Sequence, residues 1–212
     1  IKNLNNFRNN SGNLMKSLSE FGQKPEYLCI ACSDSRVDPS ILFNTSPGDF
    51  FMVRNVANLI PKYDADKYHS TSAALEYGIR YLNIPNIIIM GHSQCGGIDA
   101  MMSKGVKSDK DDYISNWVNH NSSAYDKNTN PDSNNEVCGK NILLKSYHHA
   151  LSYPWIKSKI DNGELAISLW YFNISNINIE EYDFNSKQFN LLKEKIIYFI
   201  SLLMFFLNIF YM

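Results

Sequence analysis

The sequence predicts a single α/β domain in which helices flank a central, mostly parallel β-sheet with an antiparallel edge strand. Its length of 212 residues suits one domain with a sizeable hydrophobic core. Short apolar segments alternate with segments of helical periodicity, which is the pattern of parallel strands joined by helices. Near the end of the chain, two strand-like segments joined by a tight polar turn predict an antiparallel pair.

The first predicted elements are a helix and two strands. Apolar residues recur at helical spacing over residues 13–21 and Gly22 ends the pattern, so a helix is predicted there. Residues 27–31, YLCIA, are almost wholly apolar, which favours a strand buried on both faces of a parallel sheet. Residues 50–53, FFMV, indicate a second strand of the same kind.

A second amphipathic helix is predicted over residues 71–82, which place apolar and aromatic side chains on one face. Either Ser70 or Thr71 is available as its N-cap. The segment NIIIM, residues 86–90, follows and is the least ambiguous strand of the chain. This order of strand, helix and strand extends the parallel centre of the sheet.

The second half of the chain adds helices and ends in a hairpin. A short helix is expected through Met102, and apolar residues inside the polar stretch 103–135 indicate another helix. A further helix is predicted through residues 143–151. The segments ELAISLWYF (164–172) and NINIEEYDF (176–184) are the two strands of the antiparallel pair.

The composition is that of a folded globular protein with no strong overall charge. With 20 Lys and Arg against 21 Asp and Glu, the net charge is -1, so there is no global field to attract a polyanion and no nucleic-acid partner is expected. Four cysteines are too few for a disulfide scaffold and are interpreted as intracellular thiols or metal ligands. They are Cys29, Cys32, Cys95 and Cys138.

The two ends of the sequence differ in character. The opening IKNLNNFRNN is polar, so no signal peptide is visible and a cytoplasmic or organelle-interior location is expected. Residues 1–195 are expected to form the domain, and residues 196–212 an apolar tail of uncertain role. As a helix the tail would span roughly 25 Å, just short of the ~30 Å core of a bilayer. It could dock on the body or on a partner subunit, contact a membrane, or reflect a sequence error.

Two short stretches follow predicted buried strands, where open α/β sheets place their ligands. They are CSDSR at residues 32–36 and HSQCGG at residues 92–97. Two cysteines and one histidine make up a ligand set of catalytic zinc sites, which leave a fourth position for water or substrate. Cys29 is a candidate fourth ligand, which would close the site as in structural zinc sites, but three residues along a strand its side chain points to the opposite face from that of Cys32. The simplest alternative is that these cysteines are small core residues.

Asp34 and Arg36 lie beside Cys32. Such a pair is common on protein surfaces and alone indicates little. Beside a metal ligand, however, Arg36 would keep Asp34 ionised and oriented, and Asp34 could accept a hydrogen bond from metal-bound water.

The motifs CSDSRVDP, at residues 32–39, and GHSQCGG, at residues 91–97, resemble those of the β-class carbonic anhydrases. PGDFFMVRNVANLIP (47–61) and STSAALEYGIRYL (70–82) are similar to the same family, and a thinner similarity continues to about residue 184. The resemblance implies a zinc lyase that reversibly hydrates CO₂ to bicarbonate and a proton, by attack of zinc-bound hydroxide on CO₂. It further implies one Zn²⁺ per chain, held by three of these residues, and a dyad at the fourth metal position. The implied ligands are Cys32, His92 and Cys95, and the implied dyad is Asp34 and Arg36.

The resemblance also implies substrate-binding residues. Gln23 would donate a hydrogen bond to the substrate, and the backbone N–H of Gly96 would contact it. Phe51, Val56 and Tyr77 would form the apolar walls of the CO₂ pocket, part of which comes from a neighbouring subunit. A homodimer or higher homo-oligomer is therefore expected.

Cys29 occupies the position at which the allosteric subgroup of the family has a tryptophan, so the plant-like, non-allosteric subgroup is expected.

One alternative function is a zinc or bicarbonate-binding module without turnover, which the presence of both Asp34 and Arg36 disfavours. Another is a thiol redox protein that uses Cys29 and Cys32. Redox pairs of this spacing usually lie at a helix N-terminus and not along a buried strand.

Overall fold

A computed structural model describes residues 2–65, 69–104, 113–119 and 134–192. Six strands form one sheet, and the predicted apolar tail 196–212 lies outside the described residues. The strands are β1 (Tyr27–Cys32), β2 (Phe50–Asn55), β3 (Asn86–His92), β4 (Ala166–Asn173), β5 (Asn178–Asp183) and β6 (Gln188–Leu191).

The sheet has the strand order β2-β1-β3-β4-β5-β6. Strands β2, β1, β3 and β4 pair in parallel, and β5 and β6 are antiparallel. The predicted mostly parallel sheet with an antiparallel edge is confirmed, although this edge has two strands and not one. The additional strand β6 is short and gains its apolar contact from Phe189, whose ring centroid lies 5.1 Å from that of Tyr182 on β5.

The described ranges also contain seven α-helices. They are α1 (Lys2–Phe21), α2 (Pro39–Leu42), α3 (Ser70–Glu76), α4 (Gly96–Lys104), α5 (Tyr113–Asn119), α6 (Asn135–Leu151) and α7 (Pro154–Asp161).

The first helix begins much earlier than predicted. The sequence indicated residues 13–21, whereas α1 starts at Lys2 and takes in the polar, asparagine-rich opening. Leu4 and Phe7 extend the apolar repeat of the helix toward its start, so the same face continues. Both side chains are about half exposed, at 51% and 42%, because the described part of the chain leaves them partly uncovered.

The helix predicted over residues 71–82 divides into two parts. α3 ends at Glu76, and a π-helical turn over Tyr77–Tyr81 follows. The predicted N-cap is wrong: Ser70 and Thr71 lie inside α3, and the extended residue before it, His69, makes no side-chain capping hydrogen bond.

Gly78 allows the π-helical turn to approach the sheet closely. A Cβ added there would lie 2.5 Å from Leu28 Cδ1, closer than real side chains come to one another. Leu28, on β1, is fully buried beneath this turn. A larger residue would push α3 and the turn away from the centre of the sheet.

Hydrophobic cores cover both faces of the sheet, as expected for parallel strands that are apolar throughout. A third cluster of buried side chains lies at the carboxyl ends of β1 and β3, where α4, α5 and α6 meet. Its buried members are Cys32, Ala57, Leu59, Cys95, Ile98, Met101, Val118, Cys138 and Ile142. Within the described part of the chain, no helix is both long and apolar enough to cross a membrane.

Candidate metal centre and active site

Three potential metal ligands meet at one edge of the sheet. β1 ends on Cys32 and β3 ends on His92, while Cys95 lies directly before α4. Because β1 and β3 are parallel neighbours, their carboxyl ends lie at the same edge. The predicted strands over residues 27–31 and 86–90 are thus confirmed, and each runs on to a candidate ligand.

The distances among these three side chains suit a tetrahedral zinc ion. One ligand atom from each of Cys32, His92 and Cys95 lies within 4.8 Å of the others, and all three residues are buried. The two sulfur atoms are 3.8 Å apart. Two thiolates bound at ~2.3 Å to one tetrahedral ion would also be about 3.8 Å apart.

His92 is oriented so that one ring nitrogen is free to bind a metal. Its Nδ1 lies 2.9 Å from the carbonyl oxygen of Ser93 and must carry the proton to donate this hydrogen bond. The lone pair is then on Nε2, which is buried and has no hydrogen-bond partner among the described residues. A buried polar atom without a partner costs free energy, and a metal ion would satisfy it.

The two thiols also favour a cation. A hydrogen bond with Cys95 lowers the pKa of the Cys32 thiol well below its ordinary value, despite its burial. The same contact, together with burial, raises the pKa of Cys95 far above its ordinary value. Two thiolates this close repel each other, so a cation bound between them would stabilise the doubly deprotonated pair. This donor set fits Zn²⁺.

Asp34 and Arg36 form a tight pair beside this group. Asp34 Oδ1 accepts hydrogen bonds from the backbone N–H and Nε of Arg36, each at 2.9 Å, and Oδ2 accepts one from Nη2 at 2.7 Å. These bonds hold the pKa of the Asp34 carboxyl well below its ordinary value. Oδ2 also lies 4.0 Å from His92 Nε2, so an ionised acceptor faces the metal-binding group.

Gln94 holds the other side of Arg36, a role that sequence reasoning missed. Arg36 Nη2 donates to the Gln94 carbonyl oxygen at 3.1 Å, and Nη1 donates to Oε1 at 3.4 Å. Gln94 lies between His92 and Cys95 in the motif, yet its side chain gives no sequence signal of this contact.

Arg54 is a second residue that sequence reasoning missed. Its guanidinium donates to the carbonyl oxygens of Cys32, Asp34 and Val37 at 2.7 to 3.0 Å, and it pairs with Asp38 at 2.9 Å. It thereby fixes the loop that carries Cys32 and Asp34. A signal was present, because Arg54 is a lone charge in the apolar segment FFMVRNV.

Val56 and Gly96 lie close to the metal-binding group. Val56 packs against the cluster that contains Cys32 and Cys95. A Cβ added at Gly97 would lie 2.7 Å from Val56 Cγ1, so the glycine lets the start of α4 pack tightly against this wall. Gly96 is the first residue of α4, directly after Cys95, and is exposed.

Phe51, Tyr77 and Gln23 do not join this cluster within one chain. The Phe51 and Tyr77 rings are 5.9 Å apart and pack at the β2 edge of the sheet. Tyr81 stacks on Tyr77 at 5.7 Å, and it is 67% exposed while Tyr77 is 46% exposed. Gln23 is exposed in the loop between α1 and β1.

Cys29 is separated from the metal-binding group, as its spacing from Cys32 predicted. The two side chains belong to different core clusters on opposite sides of β1. Burial raises the pKa of the Cys29 thiol to about 12, so its reactive thiolate is scarce near neutral pH. A redox pair of Cys29 and Cys32 therefore has no support in this geometry.

Comparison with known proteins agrees with this site. Residues 27–179 match the family model described as carbonic anhydrase. Beta carbonic anhydrase 5, chloroplastic, from Arabidopsis thaliana is 38% identical over 173 residues, which are 79% of this chain and 57% of the relative. The chain belongs to the β-carbonic anhydrase family. The plant relative agrees with the expected plant-like subgroup, and the chain spans just over half of that relative's length.

Solved structures of β-carbonic anhydrases have the same fold. The β-carbonic anhydrase CcaA is 30% identical and superposes with a TM-score of 0.82, covering 91% of this chain and 97% of that one. Tetrameric β-carbonic anhydrases from Sordaria macrospora are represented by a chain of 25% identity and TM-score 0.67, with coverages of 83% and 88%. Zinc is the cofactor of the family, and Cys32, His92 and Cys95 form the group that fits it.

Proposed function

We propose that this chain catalyses the zinc-dependent, reversible hydration of carbon dioxide to bicarbonate and a proton. The observation that carries this proposal is the position of Asp34, whose Oδ2 lies 4.0 Å from the unpartnered Nε2 of His92. An ionised acceptor is thereby held beside the ligand group, Cys32, His92 and Cys95. When bound there, Zn²⁺ acts as a Lewis acid that acidifies water, so that hydroxide is available near neutral pH.

The dyad of Asp34 and Arg36 would orient the nucleophile. Because Arg36 donates to both carboxylate oxygens of Asp34, this side chain stays ionised and can only accept hydrogen bonds. Asp34 would accept a hydrogen bond from the proton of the nucleophile and so would turn an oxygen lone pair away from its own carboxylate. The backbone N–H of Gly96 is proposed to donate to a substrate oxygen as negative charge develops there.

The pocket for CO₂ is proposed to have walls from two chains. Val56, packed against the ligand cluster, supplies an apolar wall from the same chain. Phe51 and Tyr77 pair at the β2 edge, and Gln23 lies exposed beside α1, so these three would complete the pocket of a neighbouring chain. Cys29 in place of a tryptophan supports the absence of an allosteric bicarbonate site.

A homo-oligomer is therefore the proposed working form. Four apolar side chains of α1 are at least 42% exposed, and Tyr77 and Tyr81 add an exposed aromatic pair. Exposed apolar surface of this kind marks an interaction site, and a second copy of the chain is the simplest partner. The tetrameric relatives from Sordaria macrospora support this assembly. The exposed side chains of α1 are Leu4, Phe7, Met15 and Phe21.

The assembly leads to a testable prediction for α1. Changing Leu4 and Phe7 together to aspartate should shift the protein toward monomers, because charges would replace the apolar face that a second chain covers. Light scattering after size-exclusion chromatography measures the mass. A matched control changes Asn5 and Asn9, two exposed residues of the same helix, to aspartate, which adds equal charge on the face opposite Leu4 and Phe7. A wild-type monomer at micromolar concentration, or equal dissociation in the control, would contradict the prediction.

We further propose that residues 1–195 form the zinc-enzyme domain and that residues 196–212 are a separate apolar tail. The location proposed is the cytoplasm or the interior of an organelle, in line with the chloroplastic name of the Arabidopsis relative. Membrane contact through the tail stays a prediction from its apolar sequence.

The activity is tested by stopped-flow CO₂ hydration on the purified chain, with zinc quantified in the same sample. The rate is expected to exceed that of buffer, to scale with zinc content and to rise between about pH 6.5 and pH 9 as hydroxide becomes available. Apo protein prepared by chelation is the control, and zinc addition should restore its rate. A zinc-loaded protein with no rate anywhere in this range would instead favour a non-catalytic binding module.

A further inference from the structure

The first residue of α6, Asn135, makes a two-point contact with the candidate ligand Cys95. Asn135 Oδ1 accepts a hydrogen bond from the Cys95 backbone N–H at 3.2 Å. Its Nδ2 donates to the Cys95 carbonyl oxygen at 3.1 Å and to Asp99 Oδ1 at 2.7 Å. One half-buried carboxamide thus binds the peptide groups on both sides of Cys95 and the first turn of α4.

This contact restricts the direction of the Cys95 side chain. A residue has only two soft backbone dihedrals, and a hydrogen bond on each flanking peptide group limits both of them. When both peptide groups are fixed, the direction of the Cα–Cβ bond is fixed, and with it the region that Sγ can reach. Sγ is already 3.8 Å from Cys32 Sγ, the separation that a shared zinc ion requires.

The turn before Cys95 needs such support. Gln94 has a φ of 57°, in the left-handed region that residues other than glycine seldom adopt. Arg36 holds the carbonyl of Gln94, and Asn135 holds the next residue. The turn is therefore bound from two different segments of the chain.

We propose that Asn135 is a positioning residue of the metal centre, whose carboxamide holds Cys95 Sγ in place for zinc. This inference rests on the zinc site of the proposed function. Asn135 lies outside the two sequence motifs. It acts through Cys95 and does not contact the substrate.

A positioning role of Asn135 can be told apart from a purely structural role at the start of α6, because the preceding residue supplies the cap of this helix. Asn134 Oδ1 accepts a hydrogen bond from the Val137 backbone N–H at 3.0 Å, so Asn134 is the N-cap of α6. Asn134→Ala removes this cap and destabilises the start of α6. Asn135→Ala removes the contact with Cys95 and Asp99.

The experiment measures zinc affinity by competition with a chromogenic chelator, and zinc release into excess chelator, for the full-length chain. Asn135→Ala is expected to weaken zinc affinity by roughly 10- to 100-fold, as for other groups that orient metal ligands. Asn135→Asp, which has the same size, should weaken it at least as much, because an oxygen then faces the Cys95 carbonyl and Asp99. Asn134→Ala should lower the thermal midpoint and leave zinc affinity unchanged.

Circular dichroism verifies that each variant is folded, and the Asp variant decides the question if the Ala variant does not fold. Wild-type zinc affinity in Asn135→Ala or Asn135→Asp would overturn the positioning role, as would equal weakening in Asn134→Ala. A wild-type chain that binds zinc without hydrating CO₂ would overturn the proposed function alone, since the comparison of affinities still stands. A wild-type chain that takes up no zinc would overturn both.

Discussion

Cys95→Ser is expected to reduce zinc from one ion per chain to essentially none, and CO₂ hydration should disappear with it. A serine hydroxyl is far less acidic than a thiol and is a poor ligand for zinc, so only Cys32 and His92 would remain. The three ligand atoms lie within 4.8 Å of one another and are all buried, so water cannot easily replace the lost sulfur. Metal analysis by mass spectrometry on the purified protein measures the loss.

Cys138→Ser is the matched control for this change. Cys138 is also fully buried and belongs to the same cluster as Cys32 and Cys95, but it lies outside the metal-binding group. The control makes the same substitution in the same core, so it is expected to lose some stability and keep its zinc. If Cys95→Ser retained one zinc per chain, or Cys138→Ser lost it equally, the assignment of Cys95 as a ligand would be wrong.

The sequence was sufficient to predict the strands that position the metal site. Runs such as NIIIM in β3 have few alternatives to a buried strand, and parallel neighbours must end at the same edge of the sheet. The proximity of Cys32 and His92 follows from that topology. The layered fold was predictable too. It follows from the alternation of strands with helices, which is a local pattern that repeats along the chain.

Other features depended on contacts that local patterns do not contain. The π-helical turn after α3 reflects the close packing of Gly78 on Leu28, which are distant in sequence. The early start of α1 was missed because its opening is dominated by asparagine, a weak helix former that the apolar repeat of Leu4 and Phe7 outweighs.

The supporting residues of the site were the hardest to predict. Asn135 lies 40 residues beyond Cys95, and asparagine is frequent in this chain, so its spacing carries no information. Arg54 was detectable as a charge inside an apolar strand, but its partners became evident only when β2 was placed beside β1. A ligand set can be identified from a motif, whereas the groups that orient it come from whichever segments the fold brings near.

Asp34→Asn should retain zinc and slow CO₂ hydration by about a hundredfold or more, the usual contribution of a positioned acid–base group. The amide keeps the size of the carboxylate but loses its charge, and one of its two acceptor oxygens becomes an N–H donor. Arg36 would still hold the side chain, since the remaining oxygen can accept one of its hydrogen bonds. The variant therefore removes the acceptor that orients the hydroxide without removing a metal ligand.

Stopped-flow rates for Asp34→Asn, normalised to zinc content, test this expectation against Asp38→Asn. Asp38 lies in the same loop, pairs with Arg54 and caps α2, so this control makes the same chemical change away from the ligand group. Asp38→Asn is expected to keep most of its rate per zinc, because its carboxylate pairs with Arg54 and caps α2. Undiminished hydration in zinc-loaded Asp34→Asn would remove Asp34 from the mechanism. An equal loss in both variants would indicate that the lower rate comes from a disturbed loop, because the only change that the two variants share is the loss of a carboxylate there.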